Sequence, residues 1–165
     1  MDSRESAFNA MLLRHKTMLW HVCSDYSLDR VWKTEECLQE VICMLWRDYH
    51  QFEGRSSEKT WVYRVATNTM LMLRRKDSRS LVTESLDPQE RYSAATEPVD
   101  ENYAQLLQLI AALPEKEAFI VRSHLDGFSY EEIASMTHST VGAVAMRLSR
   151  TKKRLKNMYE HEKQS

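Results

Sequence analysis

An all-α fold in two small helical domains is what this chain predicts, on three observations. Its 165 residues include only three glycines and three prolines, too few to punctuate the turns of a β architecture. Apolar residues instead recur at spacings of three and four, the period of a helix buried on one side. The stretch from Asp77 to Tyr103 breaks that pattern with Pro88, Pro98, scattered serines and threonines and few large apolar residues. It reads as a flexible acidic linker between a domain at residues 1–76 and another at 104–165. A chain of this length holds two such domains, each with a modest core.

The first helix has Phe8, Met11, Leu12, His15, Leu19 and Val22 on one face. A lone histidine on an apolar face is ordinarily packed, so His15 is given no chemical role. A second helix is expected from about Leu28 to about Asp48, with Leu38, Val41, Ile42 and Leu45 inward. Its outer side shows Glu36, Gln39, Glu40, Cys43 and Arg47, which without further information is a solvated face. After a turn at Phe52 to Ser57, a third helix begins with Ser56 or Ser57 as cap. Trp61, Val62, Val65, Ala66, Met72 and Leu73 are expected on its inner face, and Thr60, Arg64, Thr67, Asn68, Leu71, Arg74 and Arg75 on the other. Packing is the expected role of Trp61.

In the C-terminal domain the residue types mark each boundary. Leu113 and Pro114 stop one helix, and the proline suits the first turn of the next, where its missing N–H is no loss. That helix runs through Ala118, Val121 and Leu125 to Gly127, which can take a positive φ without a Cβ clash. Ser129 and Glu132 have the spacing of a capping box, so a short helix should start at Tyr130, with Ile133, Ala134 and Met136 as its apolar side. The polar turn Thr137, His138, Ser139 follows, and Thr140 caps the last helix.

Successive residues of that helix rotate by about 100°, so Val141, Val144, Leu148 and Leu155 form an inward stripe. Ala143, Met146, Arg147, Arg150, Lys153 and Arg154 collect on the opposite arc. From Arg147 to Lys156 every charged residue is basic. Two helices joined by a tight turn, the second carrying the densest positive charge of the chain, suit duplex DNA. A solvated basic face at a helix C-terminus accounts for the charge alone; it does not account for the capping box, the short helix and the turn together. The net charge of −1 is no objection, because the acids Asp77, Glu84, Asp87, Glu90, Glu97, Asp100 and Glu101 are concentrated in the linker.

Two sets of residues resemble a known family. Leu113-Pro114-Glu115-Lys116, Gly127-Phe128-Ser129-Tyr130-Glu131-Glu132-Ile133-Ala134, Val141-Gly142-Ala143-Val144 and Arg147-Leu148-Ser149-Arg150 resemble region four of bacterial sigma factors of the extracytoplasmic-function (ECF) group. Glu35-Glu36-Cys37-Leu38-Gln39-Glu40-Val41 with Leu45-Trp46 resembles that family's core-binding helix. Phe52-Glu53-Gly54, Thr60-Trp61-Val62-Tyr63-Arg64-Val65-Ala66-Thr67-Asn68 and Arg74-Arg75-Lys76 resemble its promoter-melting segment. The two sets occur in the family's order and span nearly the whole chain apart from the linker and termini.

The resemblance implies a factor that binds RNA polymerase core, through the β′ clamp coiled coil and the β flap, and directs initiation at specific promoters. It implies polymerase contacts at Glu36, Gln39, Glu40, Cys43 and Arg47. It implies contacts to the −10 element at Phe52, Ser56, Ser57, Thr60, Arg64, Asn68, Arg74 and Arg75, with Asn68 and the Phe52–Ser57 loop handling a flipped base. Contacts to the −35 element fall to Thr140, Ala143, Met146, Arg147, Arg150, Lys153 and Arg154. An anti-sigma protein is a further partner the family allows. Departures from the family pattern stand at Lys33 and Met72, where an acid is usual, and at Ala143, Ala145 and Met146, where polar groups are usual.

Other classes explain less. A simple helix-turn-helix regulator with a sensing or dimerisation domain at residues 1–76 accounts for the C-terminal half and leaves Gln39-Glu40 and Trp61 to Asn68 without a role. An enzyme has no glycine-rich phosphate loop, no His-Glu-x-x-His and no Cys-x-x-Cys to support it, so neither catalytic residues nor a cofactor is expected. Cys23, Cys37 and Cys43 lack zinc spacing and read as reduced thiols; His21-x-Cys23 has no second pair, so no metal is expected. The N-terminus lacks a signal-peptide pattern and no apolar run approaches the roughly 20 residues needed to span a bilayer. A cytoplasmic protein without membrane insertion is the expectation.

Overall fold

A computed structural model describes residues 2–27, 34–80 and 100–165. The described residues contain helices and no strand, and they form two compact units. The predicted start of the second helix at Leu28, the departure at Lys33 and most of the linker lie outside them. Among the described residues no helix is long and apolar enough to cross a membrane.

The first unit packs α1 (Ser3–Ser27), α2 (Thr34–Asp48) and α3 (Glu58–Ser80), each against the other two. Its core takes Phe8, Met11, Leu19, Val22, Cys23 and Tyr26 from α1, Cys37, Val41 and Leu45 from α2, and Val62, Tyr63, Ala66, Met70 and Leu73 from α3. Burial pushes the Cys23 thiol up to about 12 and the Cys37 thiol up to about 11, so both stay protonated and act as small apolar groups. His21 is exposed while Cys23 is wholly buried, so the two do not converge. No group of metal-ligating side chains forms among the described residues.

The cap of α3 is Ser57, whose Oγ accepts from the Thr60 backbone N–H at 3.1 Å and donates to Thr60 Oγ1 at 2.9 Å. Helix α3 runs on to Ser80, so residues 77–80, read as linker, are helical. Its faces also differ from the prediction in three places. Thr60 and Thr67 are buried, whereas Met72 is 43% exposed. The threonines tolerate burial because their hydroxyls are satisfied locally: Thr67 Oγ1 donates to the Tyr63 carbonyl one turn back at 2.8 Å.

His15 is part-buried, in keeping with a packed histidine, and it packs against a charged partner. Its Nε2 lies 2.9 Å from Glu58 Oε1, and Arg14 donates from Nε and Nη2 to both oxygens of the same carboxylate at 3.0 and 2.9 Å. Glu58 opens α3, so this cluster ties α1 to the first turn of α3, where a carboxylate also suits the helix dipole. The Arg14 guanidinium holds the Glu58 carboxyl below its ordinary value of 4.5, with His15 adding in the same direction and partial burial opposing. A depressed folded-state value means stability that is present above the unfolded value and lost as pH falls through the folded one. The melting temperature of wild type should therefore exceed that of Glu58→Gln near neutrality, and the gap should close on acidification below about pH 4.5. Thermal melts from pH 7 to pH 3 measure this, and a gap independent of pH contradicts it.

The second unit packs α4 (Glu101–Ala111), α5 (Glu115–Leu125), α6 (Tyr130–Thr137) and α7 (Val141–Gln164). Helix α4 begins inside the stretch read as linker, capped by Asp100, whose side chain accepts from the Asn102 N–H. Leu107, Ile110, Ile120, Val121, Phe128, Ile133, Val144, Leu148 and Leu155 form much of the core.

Candidate polymerase- and DNA-binding surfaces

In the first unit Glu36, Gln39, Glu40, Cys43 and Arg47 are all exposed. Their spacing of three and four sets them on one stripe of α2, opposite Cys37, Val41 and Leu45, which are buried. Leu38 and Ile42, expected inward, are half-buried flanks. Arg47 is turned onto its neighbour Asp48, with Nε to Oδ1 at 2.8 Å and Nη2 to Oδ2 at 3.2 Å, and this holds the Asp48 carboxyl below its ordinary value.

The residues predicted for single-stranded DNA divide. Ser57, Asn68 and Arg75 are exposed, and Phe52, Ser56, Arg64 and Arg74 are half-buried. Thr60 is withdrawn into the cap of α3, because its hydroxyl completes the bond with Ser57. Phe52 leans on Trp61 with ring centroids 5.1 Å apart, and Trp61 approaches Tyr49 at 6.4 Å. Phe8 then meets Tyr49 and Trp46 edge-on at 5.3 and 4.9 Å. This aromatic chain fixes the loop after the 3-10 turn Tyr49–Gln51 against the helices, with Gly54 at φ 72 making the bend. Met72 joins the outer face one turn after Asn68, a placement readable from their spacing of four.

In the second unit both ends of the helix-turn-helix close as the residue types require. The Phe128 N–H donates to the Ser123 carbonyl and the Gly127 N–H to that of His124, each at 3.1 Å, with Gly127 at φ 87. That paired closure seats Phe128 in the core. The capping box is complete: Ser129 Oγ accepts from the Glu132 N–H at 3.1 Å and Glu132 Oε2 accepts from the Ser129 N–H at 2.9 Å. Helix α6 ends on the same closure, with His138 left-handed at φ 52 in the place a glycine usually takes and the Ser139 N–H donating to the Ala134 carbonyl. Thr140 Oγ1 accepts from the Ala143 N–H at 3.1 Å and starts α7.

Helix α7 buries Val144, Leu148, Thr151 and Leu155. Val141, expected on that stripe, is 41% exposed, because it precedes the first turn that packs, and Thr151 takes a core position instead. Outward lie Thr140, Gly142, Met146, Ser149, Arg150 and Lys153, all exposed, with Ala143 half-buried beside them. The predicted basic residues are not equivalent. Arg147 is half-buried, and its Nη1 is shut from solvent without a hydrogen-bond partner among the described residues. Arg154 reaches back to Glu117 on α5 at 3.3 Å. Arg150 and Lys153 form no ion pair among the described residues and remain on the open face.

The profile of sigma-70 region 2 matches residues 11–80, and that of sigma-70 region 4 matches residues 103–155. The chain is 32% identical over 122 residues to the ECF RNA polymerase sigma factor RpoE of Cereibacter sphaeroides, covering 70% of this chain and 66% of that protein. It belongs to the extracytoplasmic-function sigma factors. Against the ECF RNA polymerase sigma-E factor of Escherichia coli K12 it is 28% identical over 167 residues, covering 93% of this chain and 86% of the other. Among solved structures it is similar to the sigma factor RpoE of Bartonella quintana in complex with the anti-sigma factor NepR. There the TM-score is 0.69 at 21% identity, over 93% of this chain and 97% of that one, a likeness that shows the fold. CnrH in complex with the cytosolic domain of CnrY gives 0.66 at 17% identity, over 95% and 90%. As a sigma factor the chain partners RNA polymerase and promoter DNA, directing promoter-specific initiation.

Proposed function

We propose that this sigma factor divides promoter recognition between its two units. The second unit holds the −35 element as duplex, with α7 in the major groove, phosphates met by Lys153 and its basic neighbours, and base edges by Arg150 and the front of the helix. The first unit binds polymerase through the α2 stripe Glu36, Gln39, Glu40, Cys43 and Arg47, at the β′ clamp coiled coil. It captures unpaired −10 bases on the outer face of α3 around Asn68, with Arg64, Arg74, Arg75, Phe52, Ser56 and Ser57 around it. Opening a duplex costs stacking of about 1.4 kcal/mol per step, and binding the exposed bases in preference to the paired ones offsets that cost. The chain performs no chemistry of its own, and it works in the cytoplasm, where the polymerase is. An anti-sigma protein is a further proposed partner, in keeping with the solved complexes of its structural relatives.

The observation that carries this reading is the open face of α7 behind a complete helix-turn-helix, with Arg150 and Lys153 free to meet DNA. The test is run-off transcription by purified bacterial core polymerase, with and without the chain, on the DNA upstream of its own gene. Transcript that depends on the chain supports the reading. A simple helix-turn-helix regulator fails to bind core in the absence of DNA, and a titration separates the two. In that titration Glu40→Lys should weaken core binding with the helical content unchanged, because Glu40 is exposed and its charge is inverted. Unchanged affinity removes Glu40 from the interface.

A further inference from the structure

We infer that Met146 reads the 5-methyl of a thymine in the −35 duplex, and that position 142 is glycine so that the backbone of α7 can come close to the DNA there. This rests on the −35 reading above and narrows it to one chemical group. Glycine is a poorer helix residue than alanine, and although the cost is smaller in a first turn than in a helix interior, Gly142 as the second residue of α7 still calls for a cause. Among the described residues the protein supplies none. The positive-φ glycines are Gly54 and Gly127, and a Cβ built on Gly142 meets nothing within 4 Å. The missing side chain therefore leaves room on the outer face, for something outside the chain.

Met146 lies one turn further along the same stripe, 54% exposed, with Ser149, Arg150 and Lys153 following it. An apolar side chain so placed is set in a basic surface whose charge matches phosphate. The thymine methyl is the apolar group that base edges display in the major groove, and a thioether adapts its shape to such a contact. The alternatives on the front half of the helix are worse placed. Ala143 and Ala145 are short and half-buried, and Arg147 is folded against the protein.

The experiment uses holoenzyme assembled from the full chain and bacterial core polymerase. Duplexes are enriched from a pool randomised over the −35 window, and each thymine of the enriched element is then replaced by deoxyuridine, which removes only the methyl. One replacement should weaken binding about fourfold, the worth of one buried methyl at ~0.8 kcal/mol. Met146→Ala should lose the same factor and become indifferent to that replacement; since Met146 lies outside the core, the loss does not reflect unfolding. Gly142→Ala should melt at a higher temperature yet bind every enriched duplex more weakly. An enriched element that tolerates deoxyuridine at every thymine, or that keeps its sensitivity in Met146→Ala, overturns the methyl contact and leaves the −35 reading standing. Undiminished affinity in Gly142→Ala overturns the close approach. A pool that enriches no −35 sequence overturns the −35 reading itself.

Discussion

Leu148→Ala should destabilise the helix-turn-helix unit by about 2–5 kcal/mol, the range for deleting a buried leucine side chain beyond its β-carbon. Leu148 is 1% exposed on the inner stripe of α7, and α7 packs against α4, α5 and α6, so the cavity opens where the unit is held together. A domain of this size has a total stability of the same order, so much of the unit should be unfolded at physiological temperature. The first unit has its own core and should be spared. Hydrogen exchange read segment by segment tests this: protection should fall through α5, α6 and α7 and persist in α1 to α3. Duplex binding should be lost while core binding remains. A loss of less than about 1 kcal/mol would mean that the neighbouring helices close around the smaller side chain and leave little cavity.

Arg150→Ala should weaken −35 binding by about 1–3 kcal/mol and remove sequence preference, whereas Lys153→Ala should weaken binding to all duplexes alike and lower the salt slope by about one. The difference follows from chemistry and position. Both side chains are exposed on the outer face of α7. Arg150 carries the planar fork that can meet guanine O6 and N7 together. Lys153 is a flexible point charge further along the helix, suited to a phosphate. Gel-shift titrations at several salt concentrations, on promoter and scrambled −35 duplexes, distinguish the two. Equal, sequence-independent losses for both variants mean that Arg150 touches phosphate alone. Arg147 and Arg154 should contribute less than their charge suggests, since one is half-buried and the other is paired with Glu117.

How far the candidate surfaces were legible varies with the kind of residue. The α2 stripe from Glu36 to Arg47 follows from spacing alone, and all five side chains are exposed as expected. On α3 the threonines misled. Thr60 and Thr67 are polar by type, but each hydroxyl is satisfied within its own helix, which removes most of the cost of burial. Met72 is the opposite case: its apolar type suggests core, whereas its spacing of four from the exposed Asn68 points outward, where it lies. His15 is part-buried in keeping with its apolar face, but its partner Glu58 lies on another helix, beyond what a local pattern can reveal.

Residue types and spacing were enough for the class of the fold, the family and the helix ends within the helix-turn-helix, though not for the start of α4. These are local properties: a cap, a glycine with positive φ or a capping box is decided by residues within a few positions of one another. The pairing at Ser129 and Glu132, the left-handed Gly127 and the cap at Thr140 all stand where the residue types put them. Which side chains of a given chemistry remain available depends on packing between helices. Arg147, Arg150 and Arg154 are the same amino acid within two turns of one helix, and one is half-buried, one open and one paired to α5. Exposure and pairing depend on what the neighbouring helices bring up, and that is set by packing between segments far apart in the chain.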